Sequence, residues 1–273
     1  MNRNVIISAL VFALSVTAEA QSIRFDDFKK VRTVSGAYTS FSVDNLDNVY
    51  LLSTSNQLKK LDSNGDSVAV FNDVKKFGEA TLMDVSNPLK ILLYYKNFST
   101  IVVLDGMLQQ KNMIDLRKKN MFRVSAVGLG YDGKIWVYDE LEFSLKKIDD
   151  KGNVILRTPD LRQVFDELVT PVNVFDQNKY LYLYDPQKGI YVFDYYGTFK
   201  NKIDIKGWEN LRVVDKHVYG KDSTSFYSYE IPVFKYNKTS IPRAFAGYQQ
   251  IFTGSNYFYG LSAEGLDIIN IKQ

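Results

Sequence analysis

The stretch Tyr131-Asp132-Gly133-Lys134-Ile135-Trp136-Val137 is followed, after one short loop, by Leu145-Lys146-Lys147-Ile148-Asp149-Asp150-Lys151-Gly152. Each half pairs an apolar strand pattern with an Asp- and Gly-containing turn signal, which is typical of antiparallel hairpins. A second copy begins at Leu46-Asp47-Asn48-Val49-Tyr50-Leu51 and continues to Leu58-Lys59-Lys60-Leu61-Asp62. Two copies of the same strand-turn-strand unit indicate a repeat protein.

The aspartate that ends this unit recurs at a nearly constant interval. Asp62, Asp105, Asp149 and Asp194 are separated by 43, 44 and 45 residues, and each follows an apolar strand pattern and precedes turn residues. A fixed period in this range is the signature of stacked repeats, and a repeat made of strands and tight turns points to propeller blades.

The alternation of apolar and polar residues predicts an all-β fold, a six-bladed β-propeller of four-stranded antiparallel blades. The repeat is regular up to Ile205 and degrades after it. A fifth blade is expected from the strand patterns Leu211–Val214, His217–Tyr219, Ser225–Tyr229 and Val233–Tyr236. A sixth blade at the C-terminus shows only three strands, so we expect an N-terminal strand, Ile23–Phe25, to complete it and close the ring. One short helix is expected at Asp160–Gln163, which places Val164, Phe165 and Leu168 on one helical face.

The first 20 residues have the composition of a secretory signal peptide. Arg3 precedes the apolar stretch Val5–Val16, and Ala18-Glu19-Ala20 forms a small-x-small cleavage site before Gln21. We therefore expect residues 1–20 to be removed and residues 21–273 to form a single propeller domain. The expected location is the periplasm, the outside of the cell or the outer membrane surface of a bacterium.

Composition excludes several classes of function. The chain has no cysteine, which excludes disulfides, thiol catalysis and a lipid anchor attached to a cysteine. The formal net charge of +3 is too small for this length to indicate nucleic acid binding. No stretch after the signal peptide is apolar enough to insert into a membrane.

The blades resemble the six-bladed propeller group that includes the NHL and TolB-like repeats. The resemblance is carried by Asp132-Gly133-Lys134-Ile135-Trp136 and by strands that end in aspartate before a glycine turn. It covers most of the chain after the signal peptide and is clearest in blades one, three and four. It implies the fold and leaves the function open, because these motifs build blades in proteins of many functions.

Calcium binding is one alternative for the acidic turns. Asp62-Ser63-Asn64-Gly65-Asp66 and Asp149-Asp150-Lys151-Gly152-Asn153 place carboxylates at alternate positions, as calcium loops do. Tight hairpins select the same residues, and Lys151 occupies a would-be ligand position, so we interpret both segments as turns. The innermost strands could offer a second set in the channel, namely Glu79, Asp84, Asn173 and Asp176, but these residues do not recur in a consistent phase.

Catalytic residues are not evident in the sequence. His217 is the only histidine and lies in a strand pattern between Lys216 and Val218, without a recognisable nucleophile or orienting group. The sequence therefore predicts no catalytic residue, no cofactor and no metal ligand.

A mixed basic and aromatic rim is the strongest candidate for a binding surface. The connections between second and third strands and the loops between blades share one rim of a propeller, and exposed aromatic, methionine and basic residues favour protein binding there. The candidate residues are Phe98, Phe143, Arg117, Lys118, Lys119, Met121, Phe122 and Arg123.

The function predicted from these features is a non-catalytic scaffold or accessory subunit that binds another envelope protein or a membrane-protein complex. Two alternatives remain. One is a calcium-dependent lactonase or esterase that works in the channel, and the other is a carbohydrate-binding propeller whose exposed tyrosines stack on sugar rings.

Overall fold

The computed structural model describes residues 29–72, 77–165, 167–254 and 257–270. These residues form six four-stranded antiparallel sheets arranged as the blades of a propeller, which confirms the predicted fold class. Each blade is a meander in which the first strand lies at the central channel and the fourth at the outside. Within the described ranges, no helix is long and apolar enough to span a membrane.

The strands of blades one to three follow the predicted order. Blade one contains β2 (Tyr38–Val43), β3 (Val49–Ser53), β4 (Leu58–Leu61) and β5 (Ser67–Phe71). Blade two contains β6 (Leu82–Asn87), β7 (Lys90–Tyr95), β8 (Thr100–Asp105) and β9 (Gln110–Asp115). Blade three contains β10 (Val124–Leu129), β11 (Ile135–Asp139), β12 (Ser144–Ile148) and β13 (Val154–Arg157).

Blades four to six complete the ring. Blade four contains β14 (Asn173–Gln177), β15 (Tyr180–Asp185), β16 (Gly189–Asp194) and β17 (Phe199–Ile203). Blade five contains β18 (Glu209–Val214), β19 (His217–Lys221), β20 (Ser225–Glu230) and β21 (Lys235–Ser240). Blade six contains β22 (Gln250–Thr253), β23 (Tyr257–Ser262), β24 (Gly265–Asn270) and, as its outer strand, β1 (Lys29–Ser35).

The ring is closed by β1, which pairs antiparallel with β24. An N-terminal strand therefore completes blade six as predicted, but it is Lys29–Ser35. The segment Ile23–Phe25, to which we assigned this role, lies outside the described residues. Because the first and last strands, β1 and β24, pair within one sheet, neither is left with an unpaired edge where the two ends of the ring meet.

The recurring aspartates cap the hairpins between third and fourth strands. In each of the four hairpins, one carboxylate oxygen accepts hydrogen bonds from the backbone N–H groups two and four residues later, at 2.8 to 3.0 Å. The residue three positions after the aspartate has positive φ, and it is glycine in three hairpins and Leu108 in the fourth. The spacing of about 44 residues therefore reflects the same aspartate-capped turn in successive blades, as the sequence indicated.

The core lies between blades. Apolar side chains from neighbouring sheets form large clusters between blades one and two, two and three, three and four, four and five, and six and one. Trp136, Tyr138 and Tyr191 are among the largest fully buried side chains, and all three belong to the cluster between blades three and four. This packing explains most of the aromatic content of the chain.

Two local predictions need correction. The helix α1 is a single turn, Leu161–Val164, capped by Asp160. It ends before Phe165 and Leu168, so these residues and Val164 do not share one helical face; Phe165 is buried, and Val164 and Leu168 are exposed. The outer strand of blade five begins at Lys235 rather than Val233, because Ile231–Val233 forms a 3₁₀ turn.

A buried ion pair ties the second and third strands of blade three. Lys146 Nζ lies 2.7 Å from Asp139 Oδ2 and 2.9 Å from Glu142 Oε2, and both Lys146 and Asp139 are almost completely buried. The other carboxylate oxygen of Asp139 accepts from the backbone N–H of Leu141. The pair therefore holds both the strands and the loop that joins them.

We expect Lys146→Met to destabilise the protein by about 3–5 kcal/mol, because Asp139 would remain buried and charged without its partner. Urea denaturation at neutral pH measures the effect. Lys59 occupies the corresponding position of blade one and is only partly buried, so Lys59→Met is the matched control. Equal destabilisation by the two variants would show that the ion pair has no special role.

Candidate functional site

The alternating strand directions give the ring two faces. The loop face carries the connections between second and third strands and the segments between blades. The hairpin face carries the hairpins between first and second strands and between third and fourth strands. Both faces present exposed aromatic side chains.

Two half-exposed aromatic side chains lie in adjacent loops on the loop face, between blades two and three. Phe98 is 49% exposed and Phe122 is 54% exposed. The loops that carry them are joined at Ser99, whose hydroxyl donates to the carbonyl of Phe122 at 3.4 Å and whose carbonyl accepts from the N–H of Leu116 at 2.9 Å. We call Phe98, Arg117, Lys118, Phe122 and Arg123 the rim patch.

The cations of the rim patch are held to different degrees. Arg117 donates to the carbonyl of Asn97 at 2.7 Å, which fixes its guanidinium beside the Phe98 loop. Arg123 pairs with Glu140 at 3.2 Å while its side chain stays largely exposed. Lys118 lies 3.9 Å from Asp115 at the solvent surface, a weak contact that leaves its ammonium available.

The other three predicted rim residues are not part of this surface. Met121, which we expected to be exposed, is fully buried in the core between blades two and three. Lys119 points to blade three and donates to Asn153 at 2.9 Å. Phe143 is partly buried under the guanidinium of Arg162, whose central carbon lies 3.9 Å from the ring centre.

Exposed aliphatic residues that we did not assign to a site extend the rim patch toward blade four. Leu141 follows Glu140, whose N–H donates to the carbonyl of Arg123, and the N–H of Leu161 in the next loop donates to the carbonyl of Phe143. Val164, Leu168 and Val172 in that loop are also exposed. From the sequence, we placed Val164 and Leu168 on one face of a helix and did not assign them to a binding surface.

The hairpin face carries an aromatic cage around a lysine. Lys147 Nζ lies within 6 Å of the ring centres of Tyr131, Trp136 and Tyr195, and it is 2.6 Å from a carboxylate oxygen of Asp132. The cage is filled by the protein's own cation, so it stabilises the contact between blades three and four rather than offering a site for a ligand cation.

Asp176 lies beside this cage. One of its oxygens accepts from the N–H of Tyr131, from Trp136 Nε1 and from the Tyr195 hydroxyl, at 3.2, 3.3 and 2.9 Å. Burial raises the pKa of the Asp176 carboxyl to about 6, against the lowering effect of these donors and of Lys147. The carboxyl therefore joins the inner strand of blade four to blade three.

Two of the four channel residues considered for a calcium site, Asp84 and Asp176, accept hydrogen bonds from blade three. Asp84 accepts from the N–H of Leu129 in blade three at 2.7 Å, Asp176 makes the contacts above, and Glu79 is exposed. In the part of the chain that the structure describes, no group of three or more His, Asp or Glu residues could hold a metal ion. His217 lies at the start of β19 on the hairpin face and stacks on Tyr219.

Comparison with known proteins finds similarity in structure only. No protein-family model and no curated protein matches the sequence. A streptogramin B lyase superposes with a TM-score of 0.58 at 13% identity, over 85% of this chain and 78% of that chain. BamB from Moraxella catarrhalis gives 0.50 at 13%, over 86% and 83%, and the Neurospora crassa Pan2 WD40 domain gives 0.58 at 10%, over 88% and 84%.

These similarities show the propeller fold. An enzyme and proteins that are not described as enzymes share it at equally low identity, so the fold does not distinguish catalysis from binding. The function must be argued from the surface of this chain.

Asp176→Asn is expected to change the pH dependence of stability. The raised folded pKa means that the native state prefers the protonated carboxyl, so its contribution to stability is lost as the pH rises from about 4 to about 6. A single amide oxygen can accept from the same three donors. We expect the variant to be more stable than the parent at neutral pH, by roughly 1–2 kcal/mol because solvent screens part of the effect at this half-buried carboxyl, and equal to it in acid.

Urea denaturation at a series of pH values measures this effect, and the backbone amide resonance of Tyr131 in the parent protein should titrate with a midpoint near the same pH. A variant that keeps the parent's pH dependence between these limits would show that Asp176 is ionised throughout.

Proposed function

We propose that this chain is a non-catalytic docking propeller that binds a partner protein of the bacterial envelope through the rim patch. The single observation that carries the proposal is that Phe98 and Phe122, both half exposed, lie in adjacent loops joined by hydrogen bonds. Two large apolar side chains that are half exposed in adjacent, mutually bonded loops are what a protein interface uses as anchors.

The loops that carry the anchors are ordered before any partner binds. The bonds from Ser99 to Phe122 and from Arg117 to Asn97 fix both loops to each other. Pre-organised anchors lose less conformational entropy on association, so more of the contact energy contributes to affinity. A docking role is therefore supported by the loop geometry as well as by the composition of the patch.

The chemistry of the patch favours an acidic and apolar segment of the partner. Lys118 and Arg123 have highly exposed side chains in the segment that carries Phe122, and Arg117 supplies a third cation. Cations around an apolar centre steer acidic surfaces and suppress basic ones. The exposed Leu141, Val164 and Leu168 would lengthen the apolar contact along the loop face.

The envelope location rests on the expected signal peptide, residues 1–20, which lie outside the described residues. The structural similarity to BamB supports the propeller fold but does not identify a partner for this chain. We accordingly define the partner by its chemistry and its compartment.

We expect Phe98→Ala with Phe122→Ala to reduce capture of the partner at least about tenfold in a cross-linking pull-down from the native envelope, because two anchors of an interface are removed. The matched control is Tyr131→Ala with Tyr196→Ala, on the hairpin face. These tyrosines are 74% and 82% exposed, so the control removes comparable exposed aromatic surface. Circular dichroism and urea denaturation verify that both variants are folded.

Loss of capture in the tyrosine control alone would contradict the proposal and move the binding surface to the hairpin face. Glycan binding that depends on Tyr131 and Tyr196 would favour the carbohydrate alternative. A native-envelope extract in which the parent protein captures no partner would remove the support for a docking role.

A further inference from the structure

The gap between blades five and six is packed differently from the other five gaps. Its cluster is the smallest among the described residues, with Phe245, Phe258 and Ile269 buried in it. The innermost strands β18 and β22 also approach each other less closely than neighbouring innermost strands elsewhere in the ring, such as β10 and β14. This gap lies in the half of the chain where the repeat is least regular.

A cavity of about 90 Å³ lies in this gap. Blade five supplies most of its wall and blade six supplies the opposite side. The residues that line it are Asn210, Arg212, Tyr219, Gly220, Lys221, Phe226, Tyr227, Ile251 and Thr253. Among the described residues, the lining therefore contains two cations, several apolar and aromatic groups and no carboxylate.

Arg212 is the unusual member of the lining. Its guanidinium lies 3.7 Å from the ring centre of Phe252 and donates from Nη2 to the carbonyl of Thr253 at 3.0 Å. Part of the residue is exposed, but Nη1 is buried and has no acceptor among the described residues. Burial lowers the pKa of the guanidinium to about 10, as expected for a cation that lacks a carboxylate partner.

The second cation of the cavity differs from Arg212. Lys221 Nζ is paired with Glu209 at 3.0 Å, and Glu209 is largely exposed. One of the two charges is thus compensated and the other is not. Burying a charge without an ionic partner lowers the stability of the folded state. An unpaired guanidinium at this position therefore favours a ligand that supplies the missing negative charge.

The strand register of blade four shows which residue occupies the position of Arg212 when the gap is packed by an apolar core. Arg212 pairs with Tyr219 two residues before the β18–β19 turn. At the same position in blade four, Phe175 pairs with Tyr182, and Phe175 packs into the apolar cluster between blades four and five. Blade five thus keeps the tyrosine and replaces the packing phenylalanine with an arginine.

We propose that the cavity between blades five and six is a binding site for a carboxylate group, held by the guanidinium of Arg212. Arginine is suited to this role because its planar N–H donors match the two oxygens of a carboxylate. The apolar walls, Tyr219, Phe226 and Ile251, fit a short aliphatic stem behind the acid group. The volume admits a group the size of acetate or butyrate and is smaller than the cavities that hold benzene.

Two sources can present this chemistry, a free short-chain acid and an acidic side chain of another polypeptide. Butyrate serves as the probe for the first, and N-acetylglutamate amide, whose only acid is its side chain, serves as the probe for the second. Butyramide has the same shape as butyrate without the charge and is the matched ligand control. Chloride at equal ionic strength tests for a non-specific salt effect.

Titration of the full-length mature protein by two-dimensional NMR measures binding at the amide resonances of Gly220 and Thr253. We expect saturable shifts with butyrate, N-acetylglutamate amide or both, and none with butyramide or chloride. Arg212→Met should weaken the interaction at least about tenfold, while Arg157→Met, which removes an exposed arginine of blade three, should leave it unchanged.

Urea denaturation of the Arg212 variants provides a second test if binding is too weak to saturate. Since the charge of Arg212 is uncompensated without ligand, Arg212→Met and Arg212→Phe should unfold at the same urea concentration as the parent or at a higher one. Butyrate should raise the unfolding midpoint of the parent and not of these variants. Equal shifts with butyramide, butyrate binding that survives Arg212→Met, or marked destabilisation of both variants would overturn the proposal.

This site is independent of the rim patch, which lies between blades two and three. Failure of carboxylate binding would leave the docking proposal untouched, and the Phe98 and Phe122 substitutions should not change butyrate binding.

Discussion

The pairing of β1 with β24 is the contact on which the rest of the molecule depends. Each blade buries its two faces against its neighbours, and this is possible for all six blades only if the ring is closed. The closing strand comes from the N-terminus and the other three strands of that blade come from the C-terminus. Closure therefore joins the two ends of the chain in one sheet.

Asp267 reinforces this closure with polar contacts. Its carboxylate accepts from Thr33 Oγ1 at 2.6 Å and from the Tyr248 hydroxyl at 2.7 Å, and Lys30 Nζ lies at 2.9 Å. Burial acts to raise the pKa of Asp267, but these donors outweigh it and hold the pKa below its ordinary value. The Asp267 carboxylate can therefore stay charged at the β1–β24 contact, because donors from β1 and from the loop before β22 surround it.

Closure also explains where the molecule can depart from regular packing. Five gaps between blades are filled by large apolar clusters, so the ring tolerates an arginine and a cavity in the sixth gap. The loop face is free to differ in the same way, because Phe98 and Phe122 lie outside the sheets. The two proposed sites therefore lie where the repeat contributes least to the core.

The sequence predicted the features that repeat and missed those without a burial pattern. Asp62, Asp105, Asp149 and Asp194 were visible because each caps the same turn. The outer strands β1 and β21 are largely exposed, so their side chains show no alternation. We therefore began β21 two residues too early and did not identify Lys29–Ser35 as a strand. A segment such as Lys29–Ser35, in which three of the seven residues are cationic, gives little local signal for an outer strand.

Part of the candidate site could be predicted for the same reason. Phe98 and Phe122 were identified from loops that the repeat had already located. Met121 was missed as a core residue because the backbone turns at Asn120, which has positive φ, and directs the methionine inward. Arg212 carried no signal until the register with Phe175 was known, because a lone arginine in a strand is usually exposed.

Native-state hydrogen exchange of those amides within Leu266–Ile269 of β24 that donate to β1 tests ring closure most directly. If β1 closes the ring as an integral strand, these amides should exchange only through global unfolding, with the free energy and denaturant dependence of the whole domain. Exchange at a clearly lower free energy, without denaturant dependence, would show that β1 detaches locally and would contradict the account.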